Sequence, residues 1–396
     1  TSYEKDGRLI SHYGDNHPVY EGNVVKAMAS AKKGFREVAK LFQAEVAAQD
    51  EREQPEREER FVRFAEVLED GLRARVVDVV RLTPTIVEVI VKAPFAARNF
   101  KPGQFYRLQN YESFAPEVEG FRLMMEGIAL TGAWVDRERG LLSMIVLEMG
   151  HSSRLCALLQ PGEKIALMGP TGTPTEIPEG ETVLLAGGGL GNAVLFSIAE
   201  ALKAKKNRVI YFAGFKAAQD LFKQGEIEKA CDIVVWSVDR GEPIRARRPQ
   251  DRVFVGNIVQ AMQAYAEGKL GPVTIPLNEV HRIISIGSDR MMNAVRVARK
   301  DVLACHLRKD HVAIGSINTP MQCMMKEVCA QCLQRHVDPV TGEEKGFVFS
   351  CFNQDQHLDE VDFAFLNSRL KGNAMQEKLS NMWLDHLLAI EPVEMV

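Results

Sequence analysis

The spacing of apolar and polar residues changes three times along the chain. Residues 1–71 carry a short strand-like piece, a helical pattern from about Gly22, and a charged run at 49–60 that has no apolar face. From about residue 72, apolar and polar positions alternate in short Val- and Ile-rich stretches bounded by Gly and Pro, as is typical of β-strands. We therefore predict an N-terminal tail and linker over 1–71 and a small antiparallel β-barrel over 72–176.

A different pattern begins near residue 181, where nearly continuous apolar stretches alternate with amphipathic helical ones. Strands buried on both faces and separated by helices indicate parallel βαβ units. We predict a doubly wound α/β domain over 177–306, a small cysteine-rich module over 307–361 and a helical C-terminal tail over 362–396. The predicted fold class is multidomain, with a barrel, an α/β domain and this small module.

Composition and charge narrow the classes of partner. The chain has 396 residues, which suits roughly two to four globular domains. Its net charge of −4 gives no reason to expect nucleic acid or an anionic membrane as a partner. There is no run of eighteen apolar residues that could span a bilayer, and the polar N-terminus has no secretory signal pattern.

Cysteine usage indicates the redox compartment. Seven cysteines, an odd number, argue against a disulfide framework and for a reducing compartment, so we expect a cytoplasmic protein. Cys156, Cys231 and Cys305 stand singly in apolar surroundings, and we expect them to be buried small hydrophobic residues.

The other four cysteines form a group with the spacing C-x5-C-x2-C-x18-C: Cys323, Cys329, Cys332 and Cys351. Three thiolates in one loop and a fourth from a returning strand can enclose a [2Fe–2S] cluster. The plant-type loop is C-x4-C-x2-C with a distant fourth cysteine, one residue shorter than here. Structural zinc is the alternative, although zinc sites usually combine two C-x2-C pairs.

Two glycine turns indicate a dinucleotide site. The stretch "LLAGGGLGNA" places Gly187, Gly188, Gly189, Gly191 and Asn192 where a buried strand meets a helix. Glycines there let a diphosphate approach the helix N-terminus, although such turns also simply let strand and helix pack closely. A second turn, "IGSDRMM", ends a later strand, so Gly287, Ser288 and Asp289 are expected to line the same crevice.

The choice between NAD and NADP depends on the strand "DIVVWSVD" and the loop after it. Asp239 ends that strand and could bind a ribose diol, which favours NAD. The loop is rich in arginines that could bind a 2′-phosphate: Arg240, Arg245, Arg247 and Arg248. Arginines in an exposed loop are usually only solvated, so we favour NAD and leave NADP open.

A third motif lies in the barrel region, where "GHSSRLCALL" begins a short helix. The hydroxyls of Ser152 and Ser153, with His151 and free backbone N–H groups, suit a phosphate. Serine is equally favoured there as an ordinary helix N-cap. The local residues do not decide between the two interpretations.

Together, the barrel, glycine turns and cysteines resemble the ferredoxin–NADP reductase superfamily. The motifs that carry the resemblance, in order, are "PGQFYRLQN", "LQPGEKIALMGPTG", "AGGGLGNAVLFSIAEALK", "GSDRMMNAV" and "CMMKEVCAQC", and it covers about residues 72–365. The most similar branch carries a C-terminal [2Fe–2S] module. It includes the electron-transfer subunit of dihydroorotate dehydrogenase and the small subunit of NADH-dependent ferredoxin:NADP oxidoreductase.

The resemblance implies FAD in the barrel, a nicotinamide dinucleotide on the α/β domain and iron ligated by the four grouped cysteines. It implies that Ala129, Leu130 and Thr131 line the flavin and that Ser152 and Ser153 bind FAD phosphate. The strand "MMEGIALTG" departs from the family, because it lacks the arginine and the aromatic residue that many relatives use to bind FAD. We expect Tyr106 or Arg122 to substitute for them.

The tail has a resemblance of its own. The stretch "YGDNHPVYEGNVVKAMASAKKG" is similar to the closing segment of a pyridine-nucleotide-disulfide-reductase-type flavoprotein domain, where a pair such as Gly14 and Asp15 contacts a flavin. The chain begins with Thr, so one interpretation is that it belongs to a longer, two-flavin protein. A plain amphipathic helix that docks on a neighbour is the other.

These observations predict an oxidoreductase that passes electrons between NAD(P)H, FAD and a [2Fe–2S] cluster, to or from another redox subunit of a complex. An electron-bifurcating complex is implied only by the family resemblance. We name no catalytic side chain, since hydride transfer between nicotinamide and flavin strictly needs none. Two alternatives remain: a zinc-containing dinucleotide-binding scaffold or sensor, and a flavin reductase whose cysteine module is structural.

Overall fold

The computed structural model describes residues 3–317, 327–391 and 393. The chain divides into two compact units, Thr1–Val67 and Leu68–Val396. The secondary structure at the N-terminal end is β1 (Tyr3–Lys5), β2 (Arg8–Ile10), α1 (Val24–Leu41), α2 (Gln43–Ala47) and α3 (Gln54–Leu72). Asn23 caps α1, because its side chain accepts from the Lys26 N–H at 2.9 Å. Helix α3 begins at Gln54, so much of the charged run at 49–60 is helical.

A closed antiparallel barrel follows. Its region contains β3 (Ala74–Thr83), β4 (Ile86–Lys92), α4 (Pro94–Asn99), β5 (Phe105–Asn110), β6 (Glu117–Val118), β7 (Phe121–Arg122), β8 (Ile128–Asp136), β9 (Leu141–Leu147), α5 (His151–Leu155) and β10 (Lys164–Thr171). The order around the barrel is β10-β3-β4-β9-β8-β5. Alternate side chains point inward and form one apolar core. The barrel predicted from the alternating pattern is confirmed.

The α/β region contains β11 (Thr182–Gly188), α6 (Gly191–Ala204), β12 (Arg208–Phe215), α7 (Gln224–Lys229), β13 (Ile233–Val238), β14 (Arg252–Val255), α8 (Ile258–Ala266), β15 (Arg282–Ile286), α9 (Asp289–Ala298) and β16 (Val312–Ser316). These strands are parallel, and apolar clusters cover both faces of their sheet. The doubly wound domain is confirmed. One of the two clusters also contains Ile86, Ala133 and Ile145 of the barrel, so the two domains share a core.

The remaining elements of the described chain are β17 (Leu333–Val337), β18 (Glu344–Phe349), β19 (Asp355–His357), α10 (Phe363–Lys371) and α11 (Ala374–Ile390). Strands β17 and β18 form a hairpin. Strand β19 instead pairs antiparallel with β16, so the sheet order is β14-β13-β12-β11-β15-β16-β19. None of the helices in the described ranges is long and apolar enough to cross a membrane.

Among the described residues of the predicted module 307–361, β16 and β19 belong to the α/β sheet and the β17–β18 hairpin forms its own two-stranded sheet. The expectation for Cys305 needs correction. Cys305 is exposed, and it lies between the buried Leu303 and Leu307. Cys156 and Cys231 are buried as predicted, and burial raises the pKa of the Cys231 thiol to about 12.

A buried carboxylate joins the barrel to the α/β domain. Glu88 on β4 is 2% exposed and accepts hydrogen bonds from Trp134 Nε1 at 2.8 Å and Ser143 Oγ at 2.6 Å. Its other oxygen lies 2.8 Å from Lys223 Nζ, just before α7. The charge is thus paired and hydrogen-bonded, which buried carboxylates require.

Replacing Glu88 with alanine is expected to lower the free energy of unfolding by about 3 kcal/mol, because it leaves the Lys223 ammonium and two donors without their acceptor. The measurement is urea denaturation followed by tryptophan fluorescence. Glu138→Ala, at an exposed turn of the same barrel, should change that free energy by less than about 0.5 kcal/mol. Equal effects of the two substitutions would show that Glu88 has no such role.

Candidate functional site

The two glycine turns meet at the switch point of the sheet. Strand β11 has β12 on one side and β15 on the other, and α6 and α9 leave from their carboxyl ends. A Cβ added at Gly287 would lie 3.2 Å from the Cα of Gly188. A Cβ at Gly191 would collide with the carbonyl of Ile286, so only glycine lets α6 start so close to β15. Gly189 has φ +54° and open space around it.

The polar residues of these turns mostly brace the turns themselves. Asn192 is fully buried, donates to the carbonyl of Gly189 at 2.9 Å and accepts from the Tyr211 hydroxyl at 3.1 Å. Ser288 caps α9 by accepting from the Met291 N–H at 3.2 Å. Asp289 accepts from Asn367 Nδ2 at 2.7 Å. The crevice therefore offers a ligand mainly glycine backbone from Gly188 onward, whereas Gly187 lies inside β11 and pairs with β12 and β15.

Asp239 lies on the same edge of the sheet, directly after β13, and is exposed. Two of the loop arginines are already engaged. Arg247 lies 2.7 Å from a Glu228 oxygen, and Arg248 lies 2.7 Å from an Asp251 oxygen. Arg240 and Arg245 are exposed. Of the four arginines predicted to form a cluster, two anchor the loop through ion pairs and the other two are exposed.

The outer face of the barrel meets the cysteine hairpin at β5 and β8. Cys332 and Cys351 are buried and form one apolar cluster with Phe105. Ala129 packs against that cluster. They stand at the two ends of the β17–β18 hairpin, where the Ser350 N–H donates to the Cys332 carbonyl at 3.2 Å. Thr131 pairs with Phe105 across the strands. The structure therefore brings two predicted cluster ligands to the strand predicted to line the flavin.

The other two predicted cluster ligands are Cys329 and Cys323. Cys329 is exposed and lies in a loop where Glu327 and Ala330 have φ values of +59° and +58°. Cys323 lies outside the described residues. Within the described ranges, no three His, Cys, Asp or Glu side chains are arranged to hold a metal ion.

Leu130 and Tyr106 point the other way, into the barrel core. The Tyr106 hydroxyl donates to the Ala96 carbonyl at 3.1 Å, and burial raises its pKa. Arg122 lies on the exposed β6–β7 hairpin, where it donates to the Glu112 carbonyl at 2.8 Å. The structure therefore brings neither Tyr106 nor Arg122 to the face of β8 that carries Ala129.

Arg107 does lie on that face, and the sequence analysis missed it. It is on β5 directly opposite Ala129. Its guanidinium covers Gly127, where an added Cβ would collide with it. Arg107 Nε is buried and has no hydrogen-bond partner among the described residues. A buried, unsatisfied cationic donor is costly and indicates a place where an acceptor binds.

At α5 both serine hydroxyls already form hydrogen bonds with neighbouring backbone groups. Ser152 Oγ accepts from the Glu126 N–H at 3.0 Å, and Ser153 Oγ accepts from the Gly150 N–H at 3.0 Å. Helix α11 packs alongside, with His151 Nδ1 3.4 Å from the Ser380 carbonyl. A Cβ at Gly150 would collide with the Glu377 carboxylate. A carboxylate therefore stands at the helix start where a phosphate was predicted.

This chain is similar to several known proteins. No protein-family model matches it. Over 371 residues, 94% of its length, it is 30% identical to an uncharacterized protein, RP006, of Rickettsia prowazekii (strain Madrid E). Over 167 residues, 41% of its length, it is 29% identical to the electron transfer subunit of dihydroorotate dehydrogenase B (NAD(+)) from Bacillus cereus (strain Q1). These matches span only 41% and 61% of the two relatives.

A solved structure gives the fold. The NADH-dependent reduced ferredoxin-NADP oxidoreductase, studied for flavin-based electron bifurcation, superposes with a TM-score of 0.62 at 23% identity. The match covers 79% of this chain and 98% of that one. The chain therefore shares the fold of that reductase. The barrel and the doubly wound sheet are the parts of this chain that the fold describes.

One buried acid lies shortly after the cysteine hairpin in the chain. Asp355 on β19 pairs with Ser316 of β16, and burial raises its pKa to about 6. The next residue toward the hairpin, Gln354, donates to the Gly103 carbonyl at 3.0 Å and so ties this segment to the barrel. In the folded protein Asp355 therefore holds its proton at pH values where the unfolded chain has lost it.

Folding stability should accordingly fall as the pH rises from about 4 to 6, because the folded state binds the extra proton in that window. We expect Asp355→Asn to remove this slope and to stabilise the protein at pH 7 by on the order of 3 kcal/mol relative to the native residue. Denaturant midpoints measured at several pH values test this. Parallel curves for the variant and the native protein would contradict it.

Proposed function

We propose that this chain is an electron-transfer oxidoreductase that binds NAD(P)H, FAD and a [2Fe–2S] cluster, and that exchanges electrons with a partner redox subunit. The observation that carries the proposal is the contact between Cys332, Cys351 and the outer face of β5 and β8. A bound nicotinamide exchanges hydride, a [2Fe–2S] cluster exchanges single electrons, and flavin does both. This contact supports the proposal because it brings two of the four proposed cluster ligands to the strands proposed to line the flavin.

The role of each part of the chain follows from its position. Gly187 to Gly191 would hold the dinucleotide diphosphate on open backbone at the start of α6. Helix α6 also contacts β8, so the dinucleotide domain is fixed against the flavin strand. Arg107 would supply the flavin with the cation that β8 lacks. Cys332 and Cys351 would ligate iron, with Cys329 and Cys323 as the other two proposed ligands.

NAD rather than NADP is the proposed nucleotide. Asp239 stands exposed at the edge of the crevice, free to accept from a ribose diol. Arg247 and Arg248 are engaged with carboxylates, which leaves fewer cations for a 2′-phosphate. Anaerobic titration of the FAD-loaded protein with NADH and with NADPH tests this, and preferential reduction by NADPH would contradict it.

The relatives support a partner subunit. One is named as the electron transfer subunit of dihydroorotate dehydrogenase B, and the solved structure with the same fold was studied for electron bifurcation. We propose that this chain likewise works within a redox complex. Size-exclusion chromatography of the native complex, with cofactor analysis of each subunit, tests this. An isolated monomer that reduces its acceptor at full rate would argue against it.

The position of Glu377 gives a prediction about FAD. Its carboxylate stands beside the start of α5, where it would repel a diphosphate bound at Gly150. We expect Glu377→Gln to tighten FAD binding about fivefold, since one charge at short range in water contributes about 1 kcal/mol. Fluorescence quenching of FAD measures the affinity. Glu391→Gln, beyond the far end of α11, serves as control, and equal affinities would place the diphosphate elsewhere.

A further inference from the structure

A cavity of about 590 Å³ opens at the amino end of the α/β sheet. Its walls come from the residues after α9, the start of β16 and the end of β19. The glycine turns leave from the opposite, carboxyl end of the same sheet. Strand β15 has five residues, which separates the two ends by about 15 Å. The cavity is therefore distinct from the dinucleotide crevice.

The lining is strongly basic. Its charged and titratable members are Arg299, Lys300, Arg308, Lys309, His311, His357 and Asp359. Asp359 is shared, because Arg299 pairs with it and Lys300 Nζ lies 2.9 Å from it. Arg308 pairs with Asp310 at 2.7 Å. Four cations against these two carboxylates leave a formal charge of +2, in a chain whose net charge is −4.

Arg299 forms the base of the cavity. It is only 8% exposed, and its Nε has no hydrogen-bond partner among the described residues. On one side it is held by Asp359 and on the other by His311 Nε2 at 3.0 Å. Burial lowers the pKa of His311, and its Nδ1 lies 2.6 Å from the Arg308 carbonyl, so neutral His311 can accept from Arg299. The guanidinium is thus oriented by neighbours that leave part of its charge uncompensated.

We propose that this cavity binds the phosphoryl group of a small phosphorylated molecule. A dianionic phosphate matches the local charge of +2, and its oxygens suit arginine and lysine donors. The volume and concave shape fit a small ligand, whereas an acidic protein segment would need a broader and flatter surface. Lys300 and Lys309 are exposed at the rim and can close on the ligand from outside.

Calorimetric titration of the full chain with inorganic phosphate, at constant ionic strength set with chloride, tests the proposal. We expect saturable binding in the millimolar range or tighter, and roughly tenfold weaker binding in the double variant Lys300→Ala/Lys309→Ala. The matched control Lys101→Ala/Lys229→Ala removes two exposed lysines elsewhere and should bind like the native protein.

Three results would overturn the proposal. One is the absence of saturable phosphate binding, and another is equal binding by the two double variants. The third is tight binding of poly-glutamate that phosphate does not compete for and that the rim variant loses, which would identify a protein-docking surface instead. Both pairs of lysines are exposed, so neither double variant should affect folding, and matching melting temperatures verify this.

Discussion

The Cys351→Ser variant is expected to retain less than about a tenth of the iron and sulfide of the native protein, which should contain about two of each per chain. Cys351 is buried against Phe105 and next to Cys332, so an oxygen ligand there would replace a thiolate at the centre of the proposed site. Iron and acid-labile sulfide are measured after anaerobic reconstitution.

The matched control for this substitution is Cys305→Ser. Cys305 is exposed and lies after α9, away from the hairpin. The Cys305→Ser substitution should leave the iron content unchanged. A Cys351→Ser protein that keeps its full iron content, or a native protein that takes up one zinc and no sulfide, would contradict the proposed cluster and favour the zinc-containing alternative.

The Arg107→Met variant is expected to bind FAD roughly 10- to 100-fold more weakly, because a hydrogen bond to a charged group contributes about 1.5–3 kcal/mol. Methionine keeps much of the aliphatic length of the side chain but removes the guanidinium that covers Gly127. Removing an unsatisfied buried donor should not lower the melting temperature of the FAD-free protein. A loss of affinity with unchanged stability would therefore indicate a binding role.

Arg122→Met is the informative comparison for Arg107. Both substitutions remove one arginine from the barrel region, but Arg122 lies on an exposed hairpin and donates to a backbone carbonyl. We expect the FAD affinity of the Arg122→Met variant to stay within about twofold of the native value. If Arg122→Met weakens FAD binding and Arg107→Met does not, the sequence-based expectation was right and the assignment to Arg107 is wrong.

Much of the architecture could be predicted from periodicity. The change from alternating to continuous apolar strands located the barrel and the parallel sheet, because each pattern reflects how many faces of a strand are buried. The two glycine turns could be paired from sequence, since carboxyl ends of parallel strands share one edge. Strand β19 escaped prediction because it has only three residues and pairs with a strand about forty positions earlier.

The features of the candidate site that the sequence did not reveal have a common physical cause. Arg107 depends on its cross-strand neighbours Ala129 and Gly127, about twenty residues away, and no local pattern shows that proximity. Helix α11 reaches α5 across more than 220 residues, and its Glu377 changes the electrostatics of a motif that looked suited to phosphate. Sequence shows which donors exist, whereas the fold decides which of them are already engaged.

We propose centrally that the nucleotide gives hydride to the flavin, and that the flavin passes the two electrons one at a time to the cluster at the cysteine site. The most direct test is electron paramagnetic resonance of the FAD-loaded, reconstituted protein after anaerobic addition of NADH. The account predicts a signal from a reduced [2Fe–2S] cluster, which disappears in Cys351→Ser while the flavin absorbance still bleaches. Bleached flavin with no cluster signal in an iron-replete native protein would contradict it.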